Sequence, residues 1–172
     1  MTSVSADTSK ADTAEVYDLF GSVSSETATG LDIHNDFIGR AGEFIVCAVL
    51  SEMGVFVHHV PSAGYDLIAE IDGELVRIQV KSRTYANCKS AYGFNASKEL
   101  NKARNAGLKR QGRPLDKRDC DILACVAMDR RKVIFLPVSA IGSVRNVSVA
   151  ISEFEIPNIE LVSWTKVMQE IR

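Results

Sequence analysis

Apolar and polar residues alternate most cleanly in two short runs, DLIAEI (66–71) and LVRIQVKSR (75–83), joined at Asp72-Gly73. Strict alternation predicts half-buried strands, and Asp-Gly between two such runs is the strongest short-range signal of a tight hairpin. With Asp72 and Gly73 as the two loop residues, Ile71 faces Glu74, Ala69 faces Val76 and Leu67 faces Ile78. Counting on, Asp66 falls opposite Gln79. Opposed residues share a face. One face therefore carries Leu67, Ala69, Ile71, Val76, Ile78 and Val80, which is core. The other carries Asp66, Glu70, Arg77, Gln79 and Lys81.

Upstream the period is helical. Asn35 or Asp36 can cap a helix that Gly54 ends, with Phe37, Ile38, Ala41, Phe44, Ile45, Ala48 and Val49 as its buried face. Glu43 lies near the edge of that face, beside Arg40, Cys47 and Leu50. VFVHHV reads as a strand and PSAGY as a turn. After Tyr92, NASKELNKARNAGLKRQG reads as a basic helix ended by Gly107 or Gly112. CDILACVAMD and KVIFLPV form a second hairpin across DRRK, and ELVSWTKVMQEI is a closing helix. The first 30 residues, rich in Ser, Thr, Ala and Asp, read as a flexible tail with a short helix around Ala14 to Phe20. Residues 31–172 form the folded domain. The order α-β-β-β-α-β-β plus a terminal helix predicts an α/β fold with a mixed sheet flanked by helices.

Bulk composition narrows the partners. A chain of 172 residues with 46% hydrophobic content fits one domain with a real core. No stretch reaches the length of a membrane span, and the N-terminus lacks the basic-then-apolar order of a secretory signal. Cys47, Cys88, Cys120 and Cys125 form no C-x-x-C, so they read as reduced thiols of a cytoplasmic protein, without a zinc site. The net charge of -2 conceals a segregation. From Arg77 to Arg118 there are twelve Lys and Arg against Glu99 and Asp116 alone, whereas the rest of the chain holds eight basic and twenty acidic side chains. Such a segment points to an anionic partner. Its plain alternative is a solvated helix face.

The hairpin places a carboxylate (Asp66), an amide (Gln79) and an ammonium (Lys81) on one patch. A carboxylate beside a carbonyl oxygen can hold Mg²⁺, which keeps several waters and takes one or two carboxylates from a protein. A neighbouring lysine can orient such a water or neutralise charge building on a phosphate. That is the chemistry of phosphodiester hydrolysis. The plain alternative is three surface residues with no shared task.

These residues resemble the PD-(D/E)xK nuclease superfamily: a helical Glu, an Asp at the start of a strand, then acid-x-Lys on the next strand. The matching residues are Glu43 in GRAGEF, Asp66 in SAGYDL, and Gln79 with Lys81 in IQVKSR. The likeness covers about residues 35–137 and implies a restriction-endonuclease-like α-β-β-β-α-β core. Gln79 departs from the usual acid and is similar to the cyanobacterial-type intron-encoded homing endonucleases. Archaeal Holliday-junction resolvases look similar through GxxxE and PSxGxD. The resemblance implies Asp66 as the central ligand of Mg²⁺ (or Mn²⁺), the Val80 carbonyl as a second, and Glu43 acting through the metal or its water. It implies Lys81 positioning the attacking water, with Gln79 touching metal or water.

It further implies nucleic-acid contacts from Ser62, Ser82, Arg83 and Tyr85, and electrostatic contacts from Lys98, Lys102, Arg104, Lys109, Arg110 and Arg113. Tyr92 and Phe94 read as core, with stacking on a base as the alternative, Trp164 reads as core or interface, and His58 and His59 as ordinary strand histidines. The function so implied is a Mg²⁺-dependent DNA endonuclease of homing or restriction-like type, acting as a homodimer or homotetramer to cut both strands. The alternatives are a Holliday-junction resolvase of the same fold and an inactive nucleic-acid-binding module that keeps it.

Overall fold

Asp72 and Gly73 both adopt positive φ, 54° and 82°, as a two-residue turn of the primed type requires. The computed structural model describes residues 28–60, 64–86, 90–99 and 112–172. Helix α1 (Ala28–Glu52) is followed by β1 (Phe56–His59), β2 (Leu67–Ile71), β3 (Glu74–Arg83), β4 (Ala91–Asn95), β5 (Ser97–Glu99) and β6 (Gly112–Pro114). Then come β7 (Ile122–Ala127), β8 (Lys132–Pro137), a short α2 (Val138–Ile141), β9 (Asn146–Ala150), a 3-10 turn (Ile151–Glu155) and α3 (Ile159–Ile171).

The main sheet runs β1-β2-β3-β7-β8. Strands β1, β2 and β3 are antiparallel neighbours, β3 and β7 are parallel, and β8 returns antiparallel to β7. The β2–β3 ladder has the register read from the turn: Leu67 opposite Ile78, Ala69 opposite Val76, Ile71 opposite Glu74. The mixed sheet and the second hairpin, with Ala127 opposite Lys132, also stand as expected.

Both faces of this sheet are covered. On one, α1 and α3 pack Val46, Leu50, Trp164 and Val167 against Leu67, Ala69, Ile78 and Val80. On the other, Tyr92, Phe94, Val149 and Phe154 close over Leu123 and Cys125. Strand β7 is therefore buried along its whole length, which is why ILACVA shows no alternation. Trp164, Tyr92 and Phe94 are core.

Three expectations are corrected. First, α1 starts at Ala28, so Asn35 and Asp36 lie inside it rather than at its cap. Second, its buried stripe is Gly42, Val46 and Leu50. Phe37 and Phe44 are 68% and 59% exposed, and Ala48 faces out with them. The helix chooses the stripe with the smallest residue at its head because that stripe lets it approach the sheet more closely. Third, the expected basic helix does not begin after Tyr92. Residues 91–95 pair with β9 and residues 97–99 with β6. Tyr92, Phe94 and Ala96 bury one face at a period of two, and that burial outweighs the helical propensity downstream. Residues 100–111 of that segment, and the N-terminal tail with its expected short helix around Ala14 to Phe20, lie outside the described residues.

Much of the described basic charge is internal. Asp119, with only 2% of its side chain exposed, accepts hydrogen bonds from Lys98 Nζ at 2.9 Å and from both Arg113 amino groups at 2.7 Å. Arg113 also meets Asp116, and Arg77 grips Asp121 through its side chain and backbone. Burial alone would raise the Asp119 carboxyl, but the hydrogen bonds from Arg113 and Lys98 hold it below the usual carboxylate range. A carboxylate with a depressed folded pKa stabilises the fold above its unfolded value near pH ~4, and that contribution is lost as pH falls further. We expect Asp119→Ala to cost about 3–5 kcal/mol, because two cations lose a buried partner. We also expect acid unfolding of the wild type to begin below pH ~4 and to be shallower in Asp119→Asn. Urea denaturation across pH checks both.

Candidate active site

The open end of the β2–β3 hairpin gathers the groups. Ladder pairing stops at Leu67–Ile78, and the Asp66 N–H still donates to the Ile78 carbonyl at 2.9 Å. Its side chain then turns onto β3: Oδ2 accepts the Val80 N–H at 2.7 Å and a hydrogen bond from the Gln79 amide nitrogen. The same nitrogen lies 3.4 Å from the Val80 carbonyl oxygen. Asp66, Gln79 and the Val80 carbonyl thus form one cluster, as the register required.

Burial raises the Asp66 carboxyl above its ordinary range; the Val80 N–H works against that rise, and the negative charge of Glu43 adds to it. Lys81 and His59 exert the opposing pull. These influences put Glu43, His59 and Lys81 within electrostatic reach of Asp66. The Lys81 ammonium has no ion-pair partner within salt-bridge distance among the described residues. It is the natural cation for an incoming anion.

Glu43 arrives from α1. Its neighbour Gly42 packs on Ser82, the neighbour of Lys81, so closely that a Cβ at position 42 would stand 1.8 Å from Ser82 Oγ. One helix–strand contact therefore fixes Glu43 relative to Lys81. The Ser82 hydroxyl is buried there and has no hydrogen-bond partner among the described residues. That placement removes it from the exposed row expected to meet nucleic acid.

His59 was passed over in the sequence. Its Nε2 lies 2.5 Å from Glu43 Oε2, its ring stacks on Phe44, and Arg40 Nη1 is 3.5 Å away. Pairing of His59 with Leu67 puts it on the α1 face. The letters fix no register across PSAGY; in the structure the Val60 N–H closes onto the Asp66 carbonyl at 2.9 Å. His58 points the other way and is exposed.

Among the residues expected to contact nucleic acid, Arg83 and Tyr85 are exposed, with Arg83 Nε donating to the Gly93 carbonyl at 2.6 Å. Lys98 and Arg113 have a competing use in holding Asp119. Ser62, Lys102, Arg104, Lys109 and Arg110 lie outside the described residues.

No three His, Cys, Asp or Glu side chains converge as metal ligands among the described residues. The donor set at Asp66 is one carboxylate and one main-chain carbonyl with a neutral amide beside them. That set fits a hard cation that retains its waters and fits a soft or tetrahedral metal poorly.

An antiparallel hairpin and a parallel neighbour, with helices packed on the sheet and a carboxylate at the hairpin's open end, define the restriction-endonuclease-like class. The chain belongs to the PD-(D/E)XK endonuclease family, whose model matches residues 36–166. Among solved structures, a bacterial homing endonuclease, I-Ssp6803I, superposes with a TM-score of 0.60 at 18% identity, over 78% of this chain and 93% of that one. The Holliday junction resolvase Hjc of Archaeoglobus fulgidus aligns with a TM-score of 0.43 at 18% identity, over 73% of this chain and 95% of its own. No curated protein matches the sequence significantly.

Gly-to-Ala in a helix interior ordinarily gains about 1 kcal/mol. At position 42 the overlap with Ser82 should reverse the sign, and we expect Gly42→Ala to lose about 1–3 kcal/mol. Adding Ser82→Ala should recover part of that loss. Ser82→Ala alone should be neutral or stabilising, since it removes a buried hydroxyl with no partner. Urea midpoints of the three variants check the set.

Proposed function

We propose that the protein is a divalent-metal-dependent DNA endonuclease that hydrolyses phosphodiester bonds at chosen sites in duplex DNA. The observation that carries this reading is the convergence of the Asp66 carboxylate, the Val80 carbonyl and Lys81, which has no ion-pair partner among the described residues, at the open end of one hairpin. Family membership supports the nuclease chemistry, and the likeness to a homing endonuclease supports site-specific duplex cutting.

In this mechanism Asp66 and the Val80 carbonyl, with Glu43 alongside, would hold Mg²⁺ or Mn²⁺. The bound cation supplies Lewis-acid polarisation of the phosphate and a lowered water pKa. Lys81 orients the attacking water or neutralises the charge that grows on the phosphate oxygens. Glu43 is held by His59 at 2.5 Å and keeps a second oxygen for a water. Arg83 and Tyr85 extend the same surface toward the nucleic-acid backbone. The segment 100–111, which carries Lys102, Arg104, Lys109 and Arg110, supplies further phosphate contacts. One site cuts one strand, so duplex cleavage calls for a second copy related by two-fold symmetry.

The test is cleavage by the purified chain with Mg²⁺ or Mn²⁺ on a plasmid library, a four-way junction and single strands. Asp66→Ala and Lys81→Ala should each lose at least about 10³-fold in rate while binding DNA. Cutting at wild-type rate by either variant refutes the site. Symmetric cutting of the junction alone would make the enzyme a resolvase. Binding should weaken with salt at a log-log slope of about -0.9 per phosphate neutralised. Because Arg77, Lys98, Arg113 and Arg118 are paired within the fold, the slope should count fewer contacts than the twelve basic residues of that segment.

A further inference from the structure

Gln79 is the one residue of the cluster that departs from the family's usual acid, and its position explains what a neutral amide can do there. Its nitrogen donates to Asp66 Oδ2 and lies 3.4 Å from the Val80 carbonyl oxygen. A carboxylate and a carbonyl both only accept. Whatever sits between them must therefore be a donor or a cation, so the amide turns its NH₂ inward. Asp66 Oδ2 takes two donors at once, the Gln79 amide and the Val80 N–H, which is the behaviour of an ionised carboxylate.

We propose that Gln79 is a tethered stand-in for the metal. In the metal-free protein its NH₂ group holds Asp66 and the Val80 carbonyl together, as a bound cation would. When the cation enters, the amide rotates about its last side-chain bond and presents its oxygen instead. The proposal rests on the reading of Asp66 and Val80 as the cation's ligands. An amide, with a donor and an acceptor on one rotatable group, can serve both states. A glutamate could face a cation but not Asp66, whose carboxyl is already burdened by burial and by Glu43. A lysine could face Asp66 but not a cation. The device has a thermodynamic consequence: the cation competes with the amide, so its apparent affinity is reduced by the fraction of molecules in which the amide still holds the cluster. The site stays built when metal is scarce and loads only when metal is plentiful.

The experiment uses the full chain without DNA. Thermal unfolding is followed with and without Mg²⁺ for the wild type, Gln79→Glu, Gln79→Leu and Asp66→Asn. Metal-free Gln79→Glu should melt about 5–10 °C below the wild type, from a lost charged hydrogen bond and added carboxylate repulsion. Its Mg²⁺-induced rise should exceed the wild type's, with affinity about tenfold tighter, since the ligand set gains a charge and loses its competitor. Gln79→Leu should lose stability without metal and recover little on adding it. In the wild type, the two side-chain NH₂ proton signals of Gln79, assigned by their absence in Gln79→Leu, should shift when Mg²⁺ is added. That signal decides the matter even if Gln79→Glu fails to fold.

Equal metal-free melting of Gln79→Glu and wild type would overturn the proposal. So would NH₂ signals that stay fixed while Mg²⁺ raises the wild-type melting temperature. A distinct result, a Mg²⁺-induced rise that survives in Asp66→Asn, would overturn the ligand assignment itself and the proposal with it.

Discussion

The site depends on one close contact, that of Gly42 in α1 with Ser82 in β3. Glu43 and Lys81 are the immediate chain neighbours of these two residues, so the distance between helix and strand sets the distance between carboxylate and ammonium. The contact leaves no room for a single methyl, with Ser82 Oγ 1.8 Å from where it would sit. Its cost is visible in the buried Ser82 hydroxyl that finds no partner. The same close approach decides which face of α1 is buried. Gly42, Val46 and Leu50 turn inward at four-residue spacing, and the larger Phe37 and Phe44 are left outside. Bulk hydrophobicity favoured those aromatic rings for the core; proximity favoured the glycine.

What could be read in advance follows from how tightly each connection fixes its register. A two-residue Asp-Gly turn admits one pairing, so the β2–β3 ladder and the Asp66–Gln79 meeting could be counted from the letters alone. The connection between β1 and β2, which carries the letters PSAGY, is longer than two residues and fixes no unique register, so His59 could not be assigned to the Glu43 side. Long-range burial was the least legible. Tyr92 and Phe94 owe their strand to a partner, β9, that lies about fifty residues downstream in the sequence. No local propensity announces a pairing of that separation.

Charge misled for a related reason. The basic segment looked uncompensated because its acids sit at and just beyond its end: Asp116, Asp119 and Asp121. In three dimensions they neutralise Arg77, Lys98, Arg113 and Arg118. Asp119 is nearly sealed from solvent and could not remain ionised without two cations, so those cations are first a structural requirement. The basic residues not so engaged are Lys81 and Arg83 on β3 and Lys117, together with Lys89, Lys102, Arg104, Lys109 and Arg110, which lie outside the described residues.

Asp66 and Asp119 illustrate two opposite solutions to one electrostatic problem. Asp119 is buried and saturated with donors, so its carboxyl is held low and its role is fixed. Asp66 is buried with fewer compensating partners among the described residues, so its carboxyl is pushed up, with Lys81 within electrostatic reach but not ion-paired to it. A fold optimised only for stability would have closed that gap with an ion pair between the two. Asp66 is instead held by an amide and a backbone N–H, the arrangement that the proposed cation and substrate roles of Asp66 and Lys81 would need. Incomplete neutralisation of Asp66 is thus the physical feature that separates this hairpin end from the ion-paired network around Asp119.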